Sequence, residues 1–139
     1  VFINVKPELE RLNKLAKSDF HPAYENYFKI AKSVKENTPE GTYICCRKPA
    51  LFHFYADRPT GKYKFSPDDK AMIQHMYKAK FTYVVLEQLG YGSTPKYLYP
   101  TIRNNPKIFV PIIQLKNPDT YLFKFDRKEA EKKLGLTAN

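Results

Sequence analysis

The chain has 139 residues and a formal net charge of +10, with a hydrophobic content of 42% and an aromatic content of 15%. This apolar content offsets the entropy of a folded chain and excludes a disordered or low-complexity protein, while the length suits one compact core rather than two. The charge favours anionic partners such as nucleic acid, phospholipid head groups or phosphorylated substrates, although lysine scattered over a solvated surface is the simpler explanation.

Two helices are predicted at the beginning of the chain. Apolar residues recur at helical intervals over residues 7–17, where Pro7 suits a first helical turn. In "HPAYENYFKIAKSVKENTP" apolar side chains stack on one face and lysines lie elsewhere, so a second helix should begin at Pro22 and end near Pro39. Because the sequence begins with Val1 and carries no leader segment, we expect it to be a piece of a longer chain, although a processed mature protein would begin in the same way.

Short strands and helices alternate in the middle of the chain. "TYICC" predicts a buried strand and "KYKF" a second one, on either side of a helix of about two turns in "PALFHFYAD". That helix should begin at Pro49 and turn Leu51, Phe54 and Tyr55 inward. A capping box that begins at Ser66 predicts the next helix. The nearly continuous apolar run "FTYVVLEQ" then predicts a central strand that is covered on both faces.

The last third of the sequence predicts one more helix, a hairpin and a terminal helix. Thr94 opens a helix that is interrupted or restarted at Pro100 and ends by Pro106. "IFVPIIQL" and "TYLFKF" flank a turn at residues 117–119 and should pair as a hairpin. Since Pro111 has no amide hydrogen, its strand should be an edge strand or carry a bulge. Asp126 should cap a final short helix that ends near residue 135.

This order of elements predicts the fold class. Strands that alternate with helices through crossover connections imply a parallel sheet, here with an antiparallel edge. We therefore expect an α/β fold: a single small three-layer domain with a mostly parallel central sheet, an antiparallel C-terminal hairpin and flanking helices. The domain should span residues 21–139, and residues 1–20 should form a separate N-terminal helical segment.

Three cations are candidate anion ligands. Arg47 and Lys48 follow the first predicted strand directly, and ligands of open parallel sheets bind outside the carboxyl ends of the strands. A helix begins at Pro49, so its free amides would add donors. Arg58 follows Asp57 in the turn after that helix, where an ion pair or a turn hydrogen bond is the simpler interpretation. Polar residues are common at strand ends, so a purely structural role is the alternative for all three.

The sequence predicts no catalytic residues, metal site or cofactor. Cys45 and Cys46 are adjacent and should point to opposite faces of a strand as small buried hydrophobic residues. His21, His53 and His75 have no partner at metal-ligand spacing. The segment "GYGS" lacks the lysine of a phosphate-binding loop, and no GxSxG elbow is present.

The order of several motifs resembles a known family. "YFKIAKSVKENTPEGTYICCRKPALFHFYADRPTGKY" is followed by "FTYVVLEQ", "YLYPTIRNNPKIFVPI" and "TYLFKF". Over about residues 21–125, this order is similar to the soluble C-terminal region of integral-membrane glycosyltransferases of the protein mannosyltransferase and aminoarabinose transferase kind. In that family a bundle of membrane helices precedes the domain. Acidic residues in an extracytoplasmic loop among those helices transfer a sugar from a polyprenyl-phosphate donor.

The resemblance implies a function for this chain. Residues 1–20 would follow a membrane region, and residues 21–139 would form a non-catalytic soluble domain at the extracytoplasmic, or periplasmic, face of the membrane. Its partners would be the transmembrane helices of the same chain and an anionic lipid or lipid-linked sugar. Arg47, Lys48 and Arg58 are the candidate contacts to the phosphate, and the domain would help to position the acceptor or the lipid phosphate.

Two other hypotheses stay open. The first is a stand-alone basic nucleic-acid-binding module. Its support is that 11 tyrosines and 10 phenylalanines among many lysines can supply stacking platforms in a basic groove. Most of these aromatic residues fall on faces that should point inward, so nucleic acid is not the expected partner. The second is a small complete enzyme, for which the chain lacks paired catalytic residues.

Overall fold

The computed structural model describes residues 22–136, which form five α-helices, a short π-helix and a five-stranded sheet. In chain order these elements are α1 (Pro22–Asn37), β1 (Ile44–Cys45), α2 (Pro49–Ala56), β2 (Thr60–Gly61), α3 (Asp69–Ala79), β3 (Tyr83–Leu86), the π-helix (Thr94–Leu98), α4 (Tyr99–Asn104), β4 (Phe109–Leu115), β5 (Thr120–Phe125) and α5 (Arg127–Leu134). The helix predicted over residues 7–17 lies outside the described residues. No helix within the described range is both long enough and apolar enough to cross a bilayer.

The sheet is mixed and confirms the predicted α/β fold class. Its strand order is β2-β1-β3-β5-β4. Strand β1 pairs in parallel with β2 and with β3, whereas β5 runs antiparallel to both β3 and β4. Strand β4 lies at the edge and has a register shift between Pro111 and Ile113, so the proline is accommodated both by an edge position and by a bulge, as predicted.

Two buried clusters cover the two faces of the sheet. Cys46 and Val85 pack with residues of α1 and α2, while Cys45 and Val84 pack with residues of α3, the π-helix, α4 and α5. This alternation follows from the two-residue period of a strand, which turns neighbouring side chains to opposite faces. Both cysteines are free and fully buried, as the sequence predicted. The helices therefore form a layer on each side of the sheet.

The second short strand lies earlier in the chain than predicted. "KYKF" forms no strand, and the residues that pair with β1 are Thr60 and Gly61. Strand β1 ends at Cys45, whose neighbour Cys46 donates its amide to the Gly61 carbonyl at 2.9 Å, so no further partner is available to residues 62–65. A side chain at Gly61 would be crowded, because a Cβ would lie 2.7 Å from the Tyr43 hydroxyl oxygen and 3.1 Å from the Phe81 ring.

Helix α2 presents a different face to the core than predicted. Phe52 and Ala56 are fully buried, whereas Leu51 and Tyr55 are half-buried and Phe54 is 76% exposed. Residues 52 and 56 are one helical turn apart and lie on the same side, so they form the contact with the sheet and α1. The prediction that Phe54 points inward is wrong because nearly every position of this short helix is apolar and the pattern cannot fix its orientation.

Side-chain caps define the ends of the later helices. Asp68, rather than Ser66, is the N-cap of α3, with Oδ1 accepting from the Lys70 amide at 3.0 Å. Ser66 still accepts an amide, that of Asp68, at 3.1 Å. Asp126 caps α5 by accepting from the Glu129 amide at 3.1 Å, as predicted. Helix α5 ends where Gly135 adopts a φ of 72°, a conformation that glycine reaches without strain.

Candidate anion site and adjoining cleft

The candidate site lies where the parallel strands β1 and β3 end. Residues 46–48 leave the carboxyl end of β1, and residues 87–88 leave the carboxyl end of its neighbour β3. Because both strands run in the same direction, these segments meet at one edge of the sheet. The loop of residues 87–93 then connects β3 to the π-helix along that edge. This is the edge at which open α/β sheets bind ligands.

Arg47 is held by two aromatic rings and one hydroxyl group. Its guanidinium carbon lies 4.2 Å from the centroid of the Tyr91 ring and 5.2 Å from that of Phe65. Its Nε donates to Ser93 Oγ at 3.0 Å, and Ser93 Oγ lies 3.1 Å from the Tyr63 hydroxyl. Among residues 22–136 no acceptor is assigned to the terminal nitrogens of Arg47, so these donors are available to a ligand.

Lys48 is anchored through its backbone. The Tyr27 hydroxyl donates to the Lys48 carbonyl at 3.1 Å, and the Lys48 amide donates to the same hydroxyl oxygen at 3.3 Å. Tyr27 is fully buried, and this burial raises the pKa of its hydroxyl well above the usual range. The Lys48 ammonium lies 6.0 Å from the Tyr91 ring centroid, so both cations flank the same ring.

Glu87 fixes the loop that carries Tyr91 and Ser93. Its side chain is fully buried; Oε2 accepts from the Leu89 amide at 2.6 Å, and Oε1 accepts from the Thr94 hydroxyl. Both ends of the loop are therefore tied to one carboxyl group. Sequence reasoning missed this residue, although a carboxyl group at the end of the apolar run "YVVLEQ" was a signal that it had a structural or functional role.

Cys46 lies beside this network but is not suited to nucleophilic chemistry. Burial raises the pKa of its thiol to about 12, and the nearby carboxyl group of Glu87 adds to the shift. The thiolate is the reactive form of cysteine, so the Cys46 thiol is inert near neutral pH. Burial likewise raises the pKa of Cys45. Both cysteines act as core residues.

A cleft of about 570 Å³ adjoins Arg47. It is lined by Leu86, Glu87, Gln88, Gly90, Tyr91, Gly92, Thr94, Pro95, Tyr99, Asp119 and Tyr121. Gln88 Nε2 donates to the Asp119 carbonyl at 3.0 Å and so joins the end of β3 to the β4–β5 turn. Tyr91 belongs to both features, because its ring lines the cleft and also carries the Arg47 guanidinium.

Arg58 lies apart from Arg47 and Lys48. It precedes β2, at the amino edge of the parallel strands, and is 7% exposed. Its guanidinium donates to the carbonyls of Lys35, Thr38 and Asp57 at 2.6 to 2.8 Å and to Thr38 Oγ1 at 3.1 Å. Three of these four hydrogen bonds stabilise the C-terminal end of α1, and the fourth, to Asp57, stabilises the end of α2. The structure brings Arg47 and Lys48 together and gives Arg58 a separate, structural set of partners.

A metal site and similarity to known proteins were the other possible guides to function. Within residues 22–136, no group of three or more His, Cys, Asp or Glu side chains is placed to hold a metal ion. Comparisons with protein-family models, with curated proteins and with solved structures found no match to this chain. A functional assignment therefore depends on the geometry of the carboxyl edge and on the sequence itself.

Proposed function

We propose that this chain is a non-catalytic extracytoplasmic domain of an integral-membrane glycosyltransferase. In this proposal the domain binds the phosphate of a polyprenyl-phosphate sugar, or of an anionic lipid, through Arg47 with Lys48 beside it. Support comes from the resemblance of the motif order over residues 21–125, from the net charge of +10 and from the position of the two cations. The transfer reaction itself would take place in a membrane region of the same chain.

The single observation that carries the proposal is the way Arg47 is held. A surface arginine loses about 2 kcal/mol of rotamer entropy when a ligand fixes it. Here Tyr91, Phe65 and Ser93 already restrict the side chain, so less of that entropy is lost on binding. A planar guanidinium with terminal N–H groups available is suited to bidentate contact with phosphate oxygens.

The expected affinity contribution is modest. A cation near an anionic membrane surface contributes about 1 kcal/mol, which corresponds to roughly a fivefold change in binding. Lys48 adds a second charge near the same ring but has no comparable support for its ammonium group. We therefore expect Arg47 to matter more than Lys48. Arg58 is not expected to contribute, since its donors are occupied by α1 and the following turn.

Vesicle binding tests the site. The full chain is sedimented with phosphatidylcholine vesicles, with and without polyprenyl phosphate or phosphatidylglycerol, and Arg47→Gln is compared with the unmodified chain. Arg127→Gln is the matched control, because Arg127 also lies over a tyrosine ring, at 4.0 Å from Tyr77, but at the opposite edge of the sheet. We expect about fivefold weaker binding for Arg47→Gln only. Equal loss in both variants would show a general charge effect and would contradict the proposed site.

A genomic observation tests the wider assignment. The coding sequence upstream of Val1 should encode several apolar segments of about 20 residues, each long enough to span a bilayer. A start codon immediately before Val1 would contradict membership of a membrane glycosyltransferase. This outcome is independent of the vesicle experiment, so the family assignment and the phosphate site can fail separately.

Single-stranded nucleic acid is a second candidate ligand. Cations and aromatic rings alternate near the same edge: Lys96 lies 5.3 Å from the Tyr97 ring, Arg103 lies 5.5 Å from the Tyr99 ring, and Phe65 is 47% exposed. Such a surface can stack bases and contact their phosphates. Retention of oligodeoxythymidine that falls steeply with salt, and falls further in Phe65→Ala, would favour this candidate. Absence of retention at low salt would exclude it.

A further inference from the structure

The cleft beside Arg47 has a chemistry of its own. Its volume of about 570 Å³ is within the usual range of small-molecule sites, which is about 300 to 1,000 Å³. Three tyrosine rings, those of Tyr91, Tyr99 and Tyr121, line it together with the carboxyl-bearing residues Glu87 and Asp119. None of the described lining residues is lysine or arginine. The lining of the cleft therefore differs in charge from Arg47 and Lys48, the two cations beside Tyr91.

This lining disfavours an anion inside the cleft. A phosphate or carboxylate ligand would lie close to the carboxyl group of the exposed Asp119, with no described cation in the lining to offset the repulsion. The acceptor groups of the cleft instead suit a ligand that is rich in hydroxyl donors. The tyrosine rings offer flat apolar faces, which suit a ligand with an apolar C–H surface.

Hydrogen bonds connect the segments that form two walls of the cleft. Gln88 Nε2 donates to the Asp119 backbone carbonyl at 3.0 Å, which leaves the Gln88 side-chain oxygen and the Asp119 carboxyl group as acceptors. Within residues 22–136 no donor is assigned to the Asp119 carboxyl oxygens. Glu87 fixes Thr94 and the Leu89 amide on the other wall. Acceptors that are already positioned reduce the entropy lost when a ligand binds.

We infer that this cleft binds a neutral sugar ring. The C–H face of a pyranose would lie against the tyrosines, foremost the 45% exposed Tyr99, and its hydroxyl groups would donate to Asp119 and Gln88. The inference rests on the proposed function and deepens it. A glycosyl phosphate would place its sugar in the cleft and its phosphate at Arg47, with Tyr91 in contact with both.

The test is a titration of the full ¹⁵N-labelled chain, followed by amide chemical shifts. The probes are the methyl glycosides of glucose, mannose and N-acetylglucosamine, and adenosine monophosphate is titrated separately. We expect at least one glycoside to shift the amides of Gln88, Gly90 and Gly92 saturably. Tyr99→Ala should weaken that binding about fivefold or more. Asp119→Ala should also weaken it, because it removes the carboxyl group and keeps the backbone carbonyl that Gln88 contacts.

Matched controls separate the cleft from other effects. Phe54→Ala removes an exposed aromatic ring on α2, outside the cleft, and should leave glycoside binding unchanged. Arg127→Gln, at the opposite edge of the sheet, should also leave glycoside binding unchanged. No saturable shift with any of the three glycosides would overturn the inference, as would equal losses in Tyr99→Ala and Phe54→Ala or a cleft response to adenosine monophosphate alone. Retained vesicle binding in that case would leave the proposed phosphate site standing.

Discussion

Replacement of Arg58 by methionine should destabilise the fold strongly. The substitution keeps the apolar stem of the side chain but removes the four hydrogen bonds that Arg58 donates to the ends of α1 and α2. A hydrogen bond from a charged donor contributes about 1.5 to 3 kcal/mol. Water can replace part of this at the carbonyls nearest the surface, so we expect a loss of about 3 kcal/mol in the free energy of unfolding.

That loss corresponds to a large change in melting temperature. Unfolding entropy near 60 °C is about 2.1 cal/mol/K per residue, so 1 kcal/mol shifts the midpoint of this chain by roughly 3 °C. Arg58→Met should therefore melt about 10 °C below the unmodified chain in a circular-dichroism scan. Arg103→Gln, which changes an exposed arginine, should melt within about 2 °C of it.

A second variant distinguishes a structural role from a ligand role. Arg58→Lys keeps the charge, but an ammonium group cannot donate to several carbonyls at once as the planar guanidinium does. This variant should therefore lose most of the free energy of unfolding that Arg58→Met loses. It should bind anionic vesicles as the unmodified chain does under conditions where both are folded. A melting temperature of Arg58→Met close to that of the unmodified chain would refute the assignment of Arg58 as a structural cap.

The remaining predictions concern pH and the sheet edge. The Cys46 thiol has its pKa raised from 9.0 to about 12 in the folded state, so the unfolded chain releases this proton first. The stability that the buried thiol contributes should be fully present below about pH 9 and be lost between about pH 9 and pH 12, at about 1.4 kcal/mol per pH unit for each thiol proton. Burial raises the pKa of Cys45 too, so the two thiols act in the same direction. Urea midpoints would show the fall, and a flat profile would contradict burial of the thiols. Gly61→Ala should lower the free energy of unfolding by about 1 to 3 kcal/mol, because the new Cβ meets Tyr43. Gly41→Ala places its Cβ in open space and should be nearly neutral. Equal urea midpoints for the two variants would show that β2 tolerates a side chain.

Local backbone rules account for the features that the sequence predicted. Proline has no amide hydrogen to donate to a neighbouring strand. Pro111 alone therefore predicted that its strand lies at an edge or carries a bulge. Cys45 and Cys46 are neighbours in a strand, so their opposite orientations followed from the period of two. The alternation of short strands and helices predicted the α/β class because it depends only on local periods and the connections between them.

Long-range contacts explain what the sequence did not predict. Arg47 meets Ser93 across 46 positions, and no local pattern indicates which loop will reach the end of β1. The inward orientation predicted for Phe54 is wrong, and the sequence left the role of Arg58 open, for a related reason. The orientation of a helix that is apolar nearly all round, and the partners of a turn arginine, depend on how α1, α2 and the sheet pack together. The cleft likewise depends on contacts between distant segments, such as that of Gln88 with the hairpin turn.

The most direct test of the account follows the side-chain Nε–H signal of Arg47 by NMR. The full chain is titrated with a soluble short-chain polyprenyl monophosphate such as geranyl phosphate. We predict a saturable shift of the Arg47 signal, with the signals of Arg58 and Arg127 unchanged. Of these three arginines, Arg47 lies at the carboxyl edge of the parallel strands, and no acceptor within residues 22–136 is assigned to its terminal nitrogens. An Arg47 signal that stays constant while the other arginines respond, or while none responds, would contradict the claim that this edge binds a lipid-linked phosphate.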